Sequence, residues 1–273
     1  MSESAFSAMS QFRLDGEIAL ITGSGDGLGR IAALTYGEAG AHVCVSDVDS
    51  QLAEKVVREV EEAGGSADAW HLDVMDNDQI IRVINEIAET HKKIDILVNN
   101  AGAPAGSDRV PLVDLEEEDW DMVHRVNVKG TFLCCRAIAR HMIDKNQGGK
   151  IINISSLAGK RGIARYAAYC SSKFAVIGLT ESLAKELAPH RINVNAICPG
   201  LVDTERVDHI ASAIMPEDLP PAEKRDQLVQ QATASVPLKR IAQGSDVANM
   251  AAFLASSESD YLTGLAITVA GGS

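Results

Sequence analysis

Residues 22–30 read TGSGDGLGR, and they follow an apolar run, EIALIT, at residues 17–22. The apolar run predicts a buried strand and the residues after the glycines have helical periodicity, so the glycines lie in a strand-to-helix turn. Gly23 permits a tight turn, Gly27 lets the backbone approach a pyrophosphate, and Gly29 lets the helix pack closely on the sheet. The helix N-terminus then offers free N–H groups to the phosphates. The stretch therefore predicts a dinucleotide-binding unit at the start of the fold.

Strand-like runs alternate with amphipathic helical patterns along most of the chain. Strands are predicted at residues 17–22, 41–46, 66–72, 94–99, 150–155, 191–197 and 265–270, and helices at 28–39, 50–63, 77–91, 116–145, 166–188 and 245–256. This alternation is typical of a parallel sheet with helices on both faces. Right-handed crossovers place the ligand at the carboxyl ends of the strands. The predicted fold class is α/β, a single Rossmann-like, doubly wound parallel sheet of about seven strands.

One segment breaks the alternation. Residues 201–236 lie between the last two predicted strands, contain three prolines and are too long for a simple crossover. Connections of this length are usually functional or mobile, so the segment is predicted to be an insertion that forms a substrate lid. Residues 1–13 are expected to be a loose N-terminal tail, and residues 14–273 a single domain.

The composition argues against several kinds of partner. The formal net charge is −13, whereas binding to nucleic acid or to an anionic membrane surface requires clustered Lys and Arg. No apolar stretch approaches the roughly 18 residues of a membrane span, and no signal-peptide pattern is visible. The expected compartment is the cytoplasm. The five cysteines and seven histidines show no metal-ligand spacing, so buried reduced thiols and no metal site are predicted.

The second predicted strand ends at Asp47, 18 residues after Gly29. A carboxylate at this point can accept two hydrogen bonds from an adenosine ribose. Helix capping is the alternative role for such a carboxylate, but it belongs more naturally to Asp49 or Ser50. Asp73 ends the third strand and is expected to meet the adenine edge.

The same region predicts which nicotinamide cofactor is used. NADP carries an additional ribose phosphate, and sites that accept it place Arg or Lys nearby. Asp47 is followed by Val48 and Asp49, with no cation, and Asp26 precedes the second glycine of the motif. The two carboxylates of Asp47 and Asp26 would therefore face that phosphate. Arg30, in the first helical turn, is expected to point away. The predicted cofactor is NAD.

With these motifs the chain resembles the short-chain dehydrogenase/reductase family over nearly its whole length. The family pattern T-G-x-x-x-G-x-G matches Thr22, Gly23, Gly27 and Gly29, and its N-N-A-G stretch matches residues 99–102. The resemblance implies a catalytic set in which the serine stands 13 residues before the tyrosine: Asn127, Ser156, Tyr169 and Lys173. The predicted cofactor site, taken together, comprises Gly23, Asp26, Gly27, Leu28, Gly29, Asp47, Val48, Asp73, Val74, Asn100, Ala101, Gly102, Tyr169, Lys173, Pro199, Gly200, Val202 and Thr204.

The stretch YCSSK at residues 169–173 places a phenol and an ammonium one helical turn apart on one face. The pKa of a free tyrosine is ~10, so a base near neutral pH needs a pKa lower by ~2–3, or ~3–4 kcal/mol. A cation ~4 Å away at an effective dielectric of ~20 supplies about that much. Tyr166, in contrast, has no cation four residues on and is not expected to take part.

The resemblance implies a role for each member of the catalytic set. Tyr169 exchanges a proton with the substrate oxygen while hydride moves to or from the nicotinamide, and Ser156 holds that oxygen. Lys173 also binds the nicotinamide ribose, and Asn127 anchors a water in a proton relay.

These patterns predict an NAD-dependent oxidoreductase that interconverts a secondary alcohol and the corresponding ketone by hydride transfer. One alternative is a 3-oxoacyl-thioester (acyl-carrier-protein) reductase, which would usually need an NADPH site and a basic patch. The alternative outside enzymes is an NAD-sensing binding protein, which should have lost a member of the catalytic set. Polyols, terpenoid or alicyclic alcohols and steroids all remain open as the small-molecule substrate.

The helix predicted at residues 166–188 carries apolar side chains on more than one face, so both faces are expected to be buried. One face meets the sheet, and the other, with residues 116–145, is predicted to meet a symmetric partner in a homotetramer or dimer.

In the insertion at residues 201–236, four apolar residues suggest the underside of a lid: Ile210, Ile214, Met215 and Leu219.

Overall fold

A computed structural model describes residues 12–103, 106–216 and 218–273 of the chain. Residues 1–11 of the predicted tail lie outside this range. The other two tail residues contact the domain: the Phe12 ring packs edge-on against Phe253 at 5.9 Å between centroids, and Arg13 donates to the carbonyl of Glu38 at 3.2 Å. The contacts of the domain therefore begin before residue 14. Within the described part of the chain, no helix has the length and apolar character needed to cross a membrane.

Seven parallel strands form the main sheet, in the order β3-β2-β1-β4-β5-β6-β9, and two short strands form a separate parallel pair, β7-β8. The strands are β1 (Ile18–Thr22), β2 (His42–Asp47), β3 (Ser66–His71), β4 (Ile96–Asn99), β5 (Gly149–Ile154), β6 (Ile192–Pro199), β7 (Val202–Asp203), β8 (Ala242–Gln243) and β9 (Ala266–Val269). The strand order reverses between β1 and β4, where a doubly wound sheet opens a crevice for a ligand. The predicted fold class is confirmed.

The helices are α1 (Gly27–Glu38), α2 (Ser50–Glu62), α3 (Asn77–His91), α4 (Glu117–His124), α5 (Thr131–Lys145), α6 (Ala167–Leu187), α7 (Arg206–Ile214), α8 (Pro221–Ser235) and α9 (Gly244–Ala255). Short 3₁₀ turns occur at Leu112–Asp114, Leu157–Gly159, Ala188–His190 and Ser257–Ser259. Asp49 caps α2 by accepting hydrogen bonds from the backbone N–H groups of Gln51 and Leu52, as the sequence predicts.

Two of the predicted segments have a different form. The helix predicted at 116–145 is interrupted by a π-helical turn, Arg125–Gly130, and that turn places Asn127 inside the fold, only 1 % exposed. The turn is tight against the sheet, because a Cβ at Gly130 would lie 2.9 Å from Val74. The insertion at 201–236 is more regular than its prolines suggest, since it contains both α7 and α8.

The core consists of two apolar layers, one on each face of the sheet. Successive side chains of a strand point to opposite faces, so Ile21 of β1 belongs to the layer beneath α1 and α9, and Leu20 to the layer beneath α3 and α5. Every residue of β1 is buried, as expected for a strand covered on both sides. This sandwich fixes the carboxyl ends of the strands along one rim of the molecule.

Candidate active site

A cleft of about 790 Å³ opens at the carboxyl ends of the strands, a size suited to a cofactor and a small substrate. The predicted site residues line this cleft, with two exceptions: Gly29 and Asn127 are buried directly behind it. The fold therefore brings the predicted cofactor and catalytic residues together in one cavity.

The glycine turn shapes the cleft floor at the amino end of α1. Gly27 has a left-handed backbone, φ +52°, and a Cβ there would have Thr204, 4.0 Å away, as its nearest neighbour. That open space faces the cleft and lets a ligand approach the backbone. Gly29 is tight, because a Cβ there would overlap the carbonyl oxygen of Gly23. Asp26 caps α1 by accepting from Gly27 N–H at 2.7 Å. Gly27 thus leaves room for a ligand beside the backbone, whereas Gly29 leaves no room for a side chain.

Asp47 lies at the end of the cleft formed by β2. Its carboxylate accepts from Gly25 N–H and from Asp49 N–H, each at 3.0 Å, which fixes its orientation. A carboxylate has about four lone-pair sites, so both oxygens retain acceptor capacity toward a ribose. Arg30 Nε donates to a carboxylate oxygen of Glu59 in α2 at 2.5 Å. This pairing agrees with the expectation that Arg30 points away from the ribose position beside Asp47.

Asn100 clamps the end of β4 to the glycine turn. Its side-chain amide donates to the carbonyls of Thr22 and Gly23, at 3.1 and 2.7 Å, and its backbone N–H donates to the Thr22 hydroxyl at 3.1 Å. The side chain thus holds the turn, while Ala101 and Gly102 continue the cleft wall.

The predicted catalytic set converges on α6. Lys173 donates from Nζ to the carbonyl of Ile154 at 2.8 Å, with Nζ 5.7 Å from the centroid of the Tyr169 ring. Ser156 accepts from the N–H of Ala158 at 3.1 Å, which leaves its own O–H available to a substrate oxygen.

Asn127 supports this arrangement from behind. Its side-chain oxygen accepts from Ala103 N–H at 2.8 Å and its amide donates to the Ser172 hydroxyl at 3.0 Å. Its carbonyl accepts from the Thr131 hydroxyl at 2.8 Å and keeps a second lone pair. π-helical turns are often found at functional sites, and here the turn carries Asn127, whose side-chain amide reaches Ser172 of α6.

The charged groups around Tyr169 lower the pKa of its phenol. Burial raises the pKa of this phenol, but the charges of Lys173 and Arg206, together with the Ser156 hydroxyl and Arg109, outweigh burial and leave the pKa below its ordinary value. Burial has the opposite effect on Lys173, because it disfavours the charged ammonium and so lowers the pKa. The neighbouring phenol of Tyr169 opposes that lowering. Each of the two groups therefore affects the pKa of the other.

Two arginines of the site were missed by sequence reasoning. Arg109 is 1 % exposed, pairs with Asp108, and places its guanidinium carbon 4.1 Å from the Tyr166 ring centroid and 4.3 Å from that of Tyr169. Its Nε is buried and has no hydrogen-bond partner among the described residues. Arg206 donates to the carbonyl of Ala103 at 2.9 Å and lies 5.7 Å from the Tyr169 ring centroid.

These arginines correct the interpretation of Tyr166. Tyr166 has no cation four residues on in the predicted helix, which predicts no part in the site. In the fold, however, Arg109 comes from a loop that is distant in sequence, and its guanidinium lies over the Tyr166 ring. Neither Arg109 nor Arg206 belongs to a periodic pattern that connects it to the site. Their contribution depends on tertiary placement, for which the sequence has no local signal.

The insertion forms the outer wall of the cleft. Leu228, Ala232 and Val236, from α8 and its end, line the cavity with Ile210 of α7. The other apolar residues expected there are not among the described residues that line it: Ile214, Met215 and Leu219. The apolar inner surface thus comes mainly from α8, whose sequence pattern is weakly amphipathic.

Comparison with known proteins identifies the group to which this architecture is similar. The family model described as short chain dehydrogenase matches residues 17–214. Sorbitol dehydrogenase of Cereibacter sphaeroides is 42 % identical over 261 residues, 95 % of this chain and 98 % of that protein. The 3-oxoacyl-[acyl-carrier-protein] reductase FabG of Thermotoga maritima is 38 % identical over 260 residues, 95 % of this chain and 98 % of that protein.

Solved structures of dehydrogenases are similar to this chain in fold as well. An NAD⁺-bound xylitol dehydrogenase superimposes with a TM-score of 0.86 at 33 % identity, covering 94 % of this chain and 99 % of that one. A gluconate 5-dehydrogenase from Burkholderia cenocepacia, in complex with NADP and tartrate, also has a TM-score of 0.86, at 35 % identity, covering 97 % and 98 %. Both nicotinamide cofactors therefore occur among the relatives.

Proposed function

This chain belongs to the short-chain dehydrogenase family, and on that basis we propose that it oxidises a polyhydroxylated secondary alcohol with NAD. It is an oxidoreductase that interconverts a secondary alcohol and the corresponding ketone with a nicotinamide cofactor. The observation that carries the proposal is the setting of Tyr169, a phenol with a lowered pKa beside Lys173 and at the inner end of a cleft that reaches Asp47.

The residues of the cleft fit a dinucleotide. The open space at Gly27 is a cradle that a side chain would fill, and the amino end of α1 attracts phosphate. Asp47 would hold the adenosine ribose, Lys173 the nicotinamide ribose, and Thr204 the nicotinamide amide. When bound, the nicotinamide supplies hydride acceptance or donation.

The protein's own part in the reaction is proton transfer and orientation. Tyr169 as phenolate removes the hydroxyl proton of an alcohol, or as phenol returns it to a ketone, and Lys173 stabilises the phenolate. Ser156 donates its O–H to the same substrate oxygen and fixes its position. The free carbonyl lone pair of Asn127 is suited to a water that exchanges the proton with solvent.

NAD is proposed over NADP because of the charges around β2. An additional phosphate on the ribose would meet Asp47, and Asp26 stands on the facing glycine turn. The candidate counter-charge, Arg30, is paired with Glu59. Like-charge contact in a partly desolvated site costs several kcal/mol, so this end of the cleft favours the cofactor without the phosphate.

The substrate class rests on the relatives and on the cleft. Sorbitol dehydrogenase and xylitol dehydrogenase are named for open-chain polyols. The hydroxyls of a polyol suit the donors of Ser156, Arg109 and Arg206, which line the cleft together with the apolar side chains of the insertion. A sugar acid is the second candidate, and the observation that favours it is the buried, unpartnered Nε of Arg109 with Arg206 nearby. Guanidinium groups bind carboxylates in a forked geometry, and the gluconate 5-dehydrogenase structure contains tartrate.

The reaction is tested by measuring reduced nicotinamide with a panel of substrates. Sorbitol, xylitol and galactitol represent neutral polyols, and gluconate represents sugar acids, each offered with NAD and with NADP. We expect turnover of at least one of these compounds, with NAD preferred. Turnover confined to a 3-oxoacyl thioester with NADPH would establish the acyl-carrier-protein reductase alternative, and cofactor binding without any turnover the NAD-sensing alternative.

We also propose a homotetramer, or a dimer, assembled through α4, α5 and α6. Phe174 is 47 % exposed, Phe132 40 % and Met122 41 %, which leaves an apolar surface on these helices of one chain. A symmetric partner would cover it. Multi-angle light scattering at micromolar concentration should give a mass of two or four chains, and a monodisperse monomer would contradict the assembly. We propose that the protein acts in the cytoplasm, where its five buried cysteines, none of which is in a disulfide, would stay reduced.

A further inference from the structure

A second cluster of reactive side chains lies far from the cleft, toward the amino end of β2. It contains His42 and Cys44 of β2, Asp68 of β3 and His91, the last residue of α3. His42 begins β2 whereas Asp47 ends it, so the two sites are roughly 16 Å apart along the strand. The cluster has no part in the reaction described above.

The parallel register of the sheet explains why these residues meet. Cys44 is paired with Asp68, and His42 with Ser66, across β2 and β3. Residues two apart on a strand share a face, so the side chains of His42, Cys44 and Asp68 project toward the same layer. α3 covers that face and ends with His91 above it.

The donor atoms of the four side chains all lie within 4.8 Å of one another. His91 Nε2 is 2.8 Å from one Asp68 oxygen, and His42 Nε2 is 3.4 Å from the other. In a tetrahedral site with bonds of about 2.0–2.3 Å, neighbouring ligand atoms are roughly 3.3–3.8 Å apart. The four groups therefore need to move by about 1 Å, which side-chain rotation provides.

One atom of the cluster lacks a partner. His42 Nε2 is buried and has no hydrogen-bond partner among the described residues, although Nδ1 of the same ring lies 2.7 Å from the Ser66 hydroxyl. A ring that donates from Nδ1 to Ser66 presents the Nε2 lone pair to the centre of the cluster. Trp70 donates to Asp68 at 2.7 Å and orients that carboxylate. Such outer hydrogen bonds are typical of metal ligands.

We propose that His42, Cys44, Asp68 and His91 bind one divalent transition-metal ion of the Zn²⁺ type in a closed, four-ligand structural site. Two imidazoles and a thiolate favour zinc over Mg²⁺ or Ca²⁺, which require mainly oxygen ligands. The charges balance, because the thiolate and the carboxylate together neutralise the dication. Binding forms a metal–sulfur bond and releases the Cys44 proton to solvent. The metal also replaces the hydrogen bond between His91 and Asp68, and the proton that Nε2 of His91 carries in that bond passes through solvent to Nδ1, so the ring binds as a neutral imidazole.

The location gives the site a structural purpose. β3 is the edge strand of the main sheet, and unprotected edges are prone to unwanted pairing. An ion held by β2, β3 and the end of α3 would tie the edge to its neighbours. Asp68 and His91 retain side-chain exposures of 30 % and 16 %, which provides an entry path from solvent. The sequence predicts no metal site because Asp68 and His91 lie more than 20 residues from the His42 and Cys44 pair and from each other, and the four match no local motif.

The test is Co²⁺ titration of the untagged full-length protein after EDTA treatment, with a non-chelating reductant present. We expect one equivalent of Co²⁺ to produce tetrahedral d–d absorption and a sulfur-to-cobalt charge-transfer band, and Zn²⁺ to displace it. Zn²⁺ should also raise the melting temperature, since it binds the folded chain. A protein that gives no charge-transfer band with Co²⁺ would overturn the proposal.

Two variants and two matched controls assign the ligands. Cys44→Ser should abolish the charge-transfer band, whereas Cys134→Ser, at a thiol buried in the same apolar layer, should retain it. His91→Gln, at a partly exposed position that leaves the core intact, should weaken Co²⁺ binding at least 10-fold, and His190→Gln should not. Retention of the band in Cys44→Ser, or unchanged affinity in His91→Gln, would overturn the assignment. These readouts do not depend on dehydrogenase activity, so they fail or succeed separately from the proposed function.

Discussion

The two halves of the cleft are constructed by different means. The cofactor half consists of the glycine turn at residues 22–30 and the ends of β2, β3 and β4, all of which follow directly from strands. The substrate half consists of the loop that carries Arg109, the start of α6, and the insertion with α7 and α8. The cofactor half is specified by local sequence, whereas the substrate half depends on which distant segments the fold brings together. Substitutions on each side of the cleft test that division.

Tyr169 stands where the two halves meet, so its loss should have the largest effect. The hydroxyl that Tyr169→Phe removes is the proton donor and contributes little to cofactor binding, so we expect kcat to fall by about 10³-fold or more with little change in the Kd of NAD. Tyr166→Phe is the matched control, because that ring also stacks on Arg109 yet has no assigned proton transfer. Steady-state kinetics and a fluorescence titration with NAD provide the measurements.

A different outcome would relocate the chemistry. Substantial residual turnover in Tyr169→Phe would remove the proton-transfer role from this residue. An equal loss in Tyr166→Phe would show that the effect comes from disturbance of the aromatic pair around Arg109.

The cofactor half should determine a preference of about 100-fold for NAD over NADP, equivalent to ~2.7 kcal/mol. Replacing Asp47 with Ala and Asp26 with Arg removes two carboxylates and adds a cation where the additional phosphate would lie. The double variant should lose most of the preference, measured as the ratio of kcat/KM for the two cofactors. Asp49→Ala, which removes a neighbouring helix-capping carboxylate, is the control and should leave the ratio unchanged. Comparable efficiency with both cofactors in the unmodified enzyme would contradict the role of Asp47.

The contrast between the halves also shows how far sequence reasoning reaches. The seven main-sheet strands were predicted to within two residues at each end, because strands buried on both faces have continuous apolar runs and the helices between them have clear periodicity. The π-helical turn at Arg125–Gly130 was not predicted, since an additional residue in one turn leaves no mark on apolar periodicity. Arg109 and Arg206 were missed because their position depends on tertiary contacts, and the same is true of the His42 cluster.

The substrate half is tested by the pair Asp108 and Arg109. The single change Arg109→Gln would leave Asp108 buried without its partner, so Asp108→Asn with Arg109→Gln is the better variant. If Arg109 binds a substrate carboxylate, kcat/KM for gluconate should fall by roughly 10–100-fold, as expected for loss of a charged hydrogen bond. The value for sorbitol should change much less. Equal losses for both substrates would show that Asp108 and Arg109 determine the shape of the cleft and do not recognise the carboxylate of gluconate.

The smallest effect is expected from Arg206. This residue belongs to the substrate half, and its charge lowers the pKa of Tyr169. Burial raises the pKa of Tyr169, and the cations Lys173 and Arg206 lower it below the ordinary value. Alcohol oxidation needs the phenolate, so the rate should rise with pH through this pKa and level off above it. Arg206→Gln removes one of the cations, which disfavours the phenolate and raises the pKa. The acid limb of the profile should therefore move to higher pH.

The size of that movement is limited by distance and by solvent. Arg206 lies 5.7 Å from the Tyr169 ring centroid and is partly exposed, so we expect a displacement of about 0.5–1 pH unit. A neutral polyol should be the substrate, so that loss of a carboxylate contact does not enter the measurement. Arg136→Gln, at a guanidinium that stacks on Phe132 away from the cleft, serves as the control.

At a pH on the acid limb Arg206→Gln should be less than about 10-fold slower than the unmodified enzyme, and at high pH the two rates should converge. An equal loss at every pH would mean that Arg206 positions the substrate and does not change the pKa of Tyr169, which would then be lowered by Lys173 and Arg109 without it.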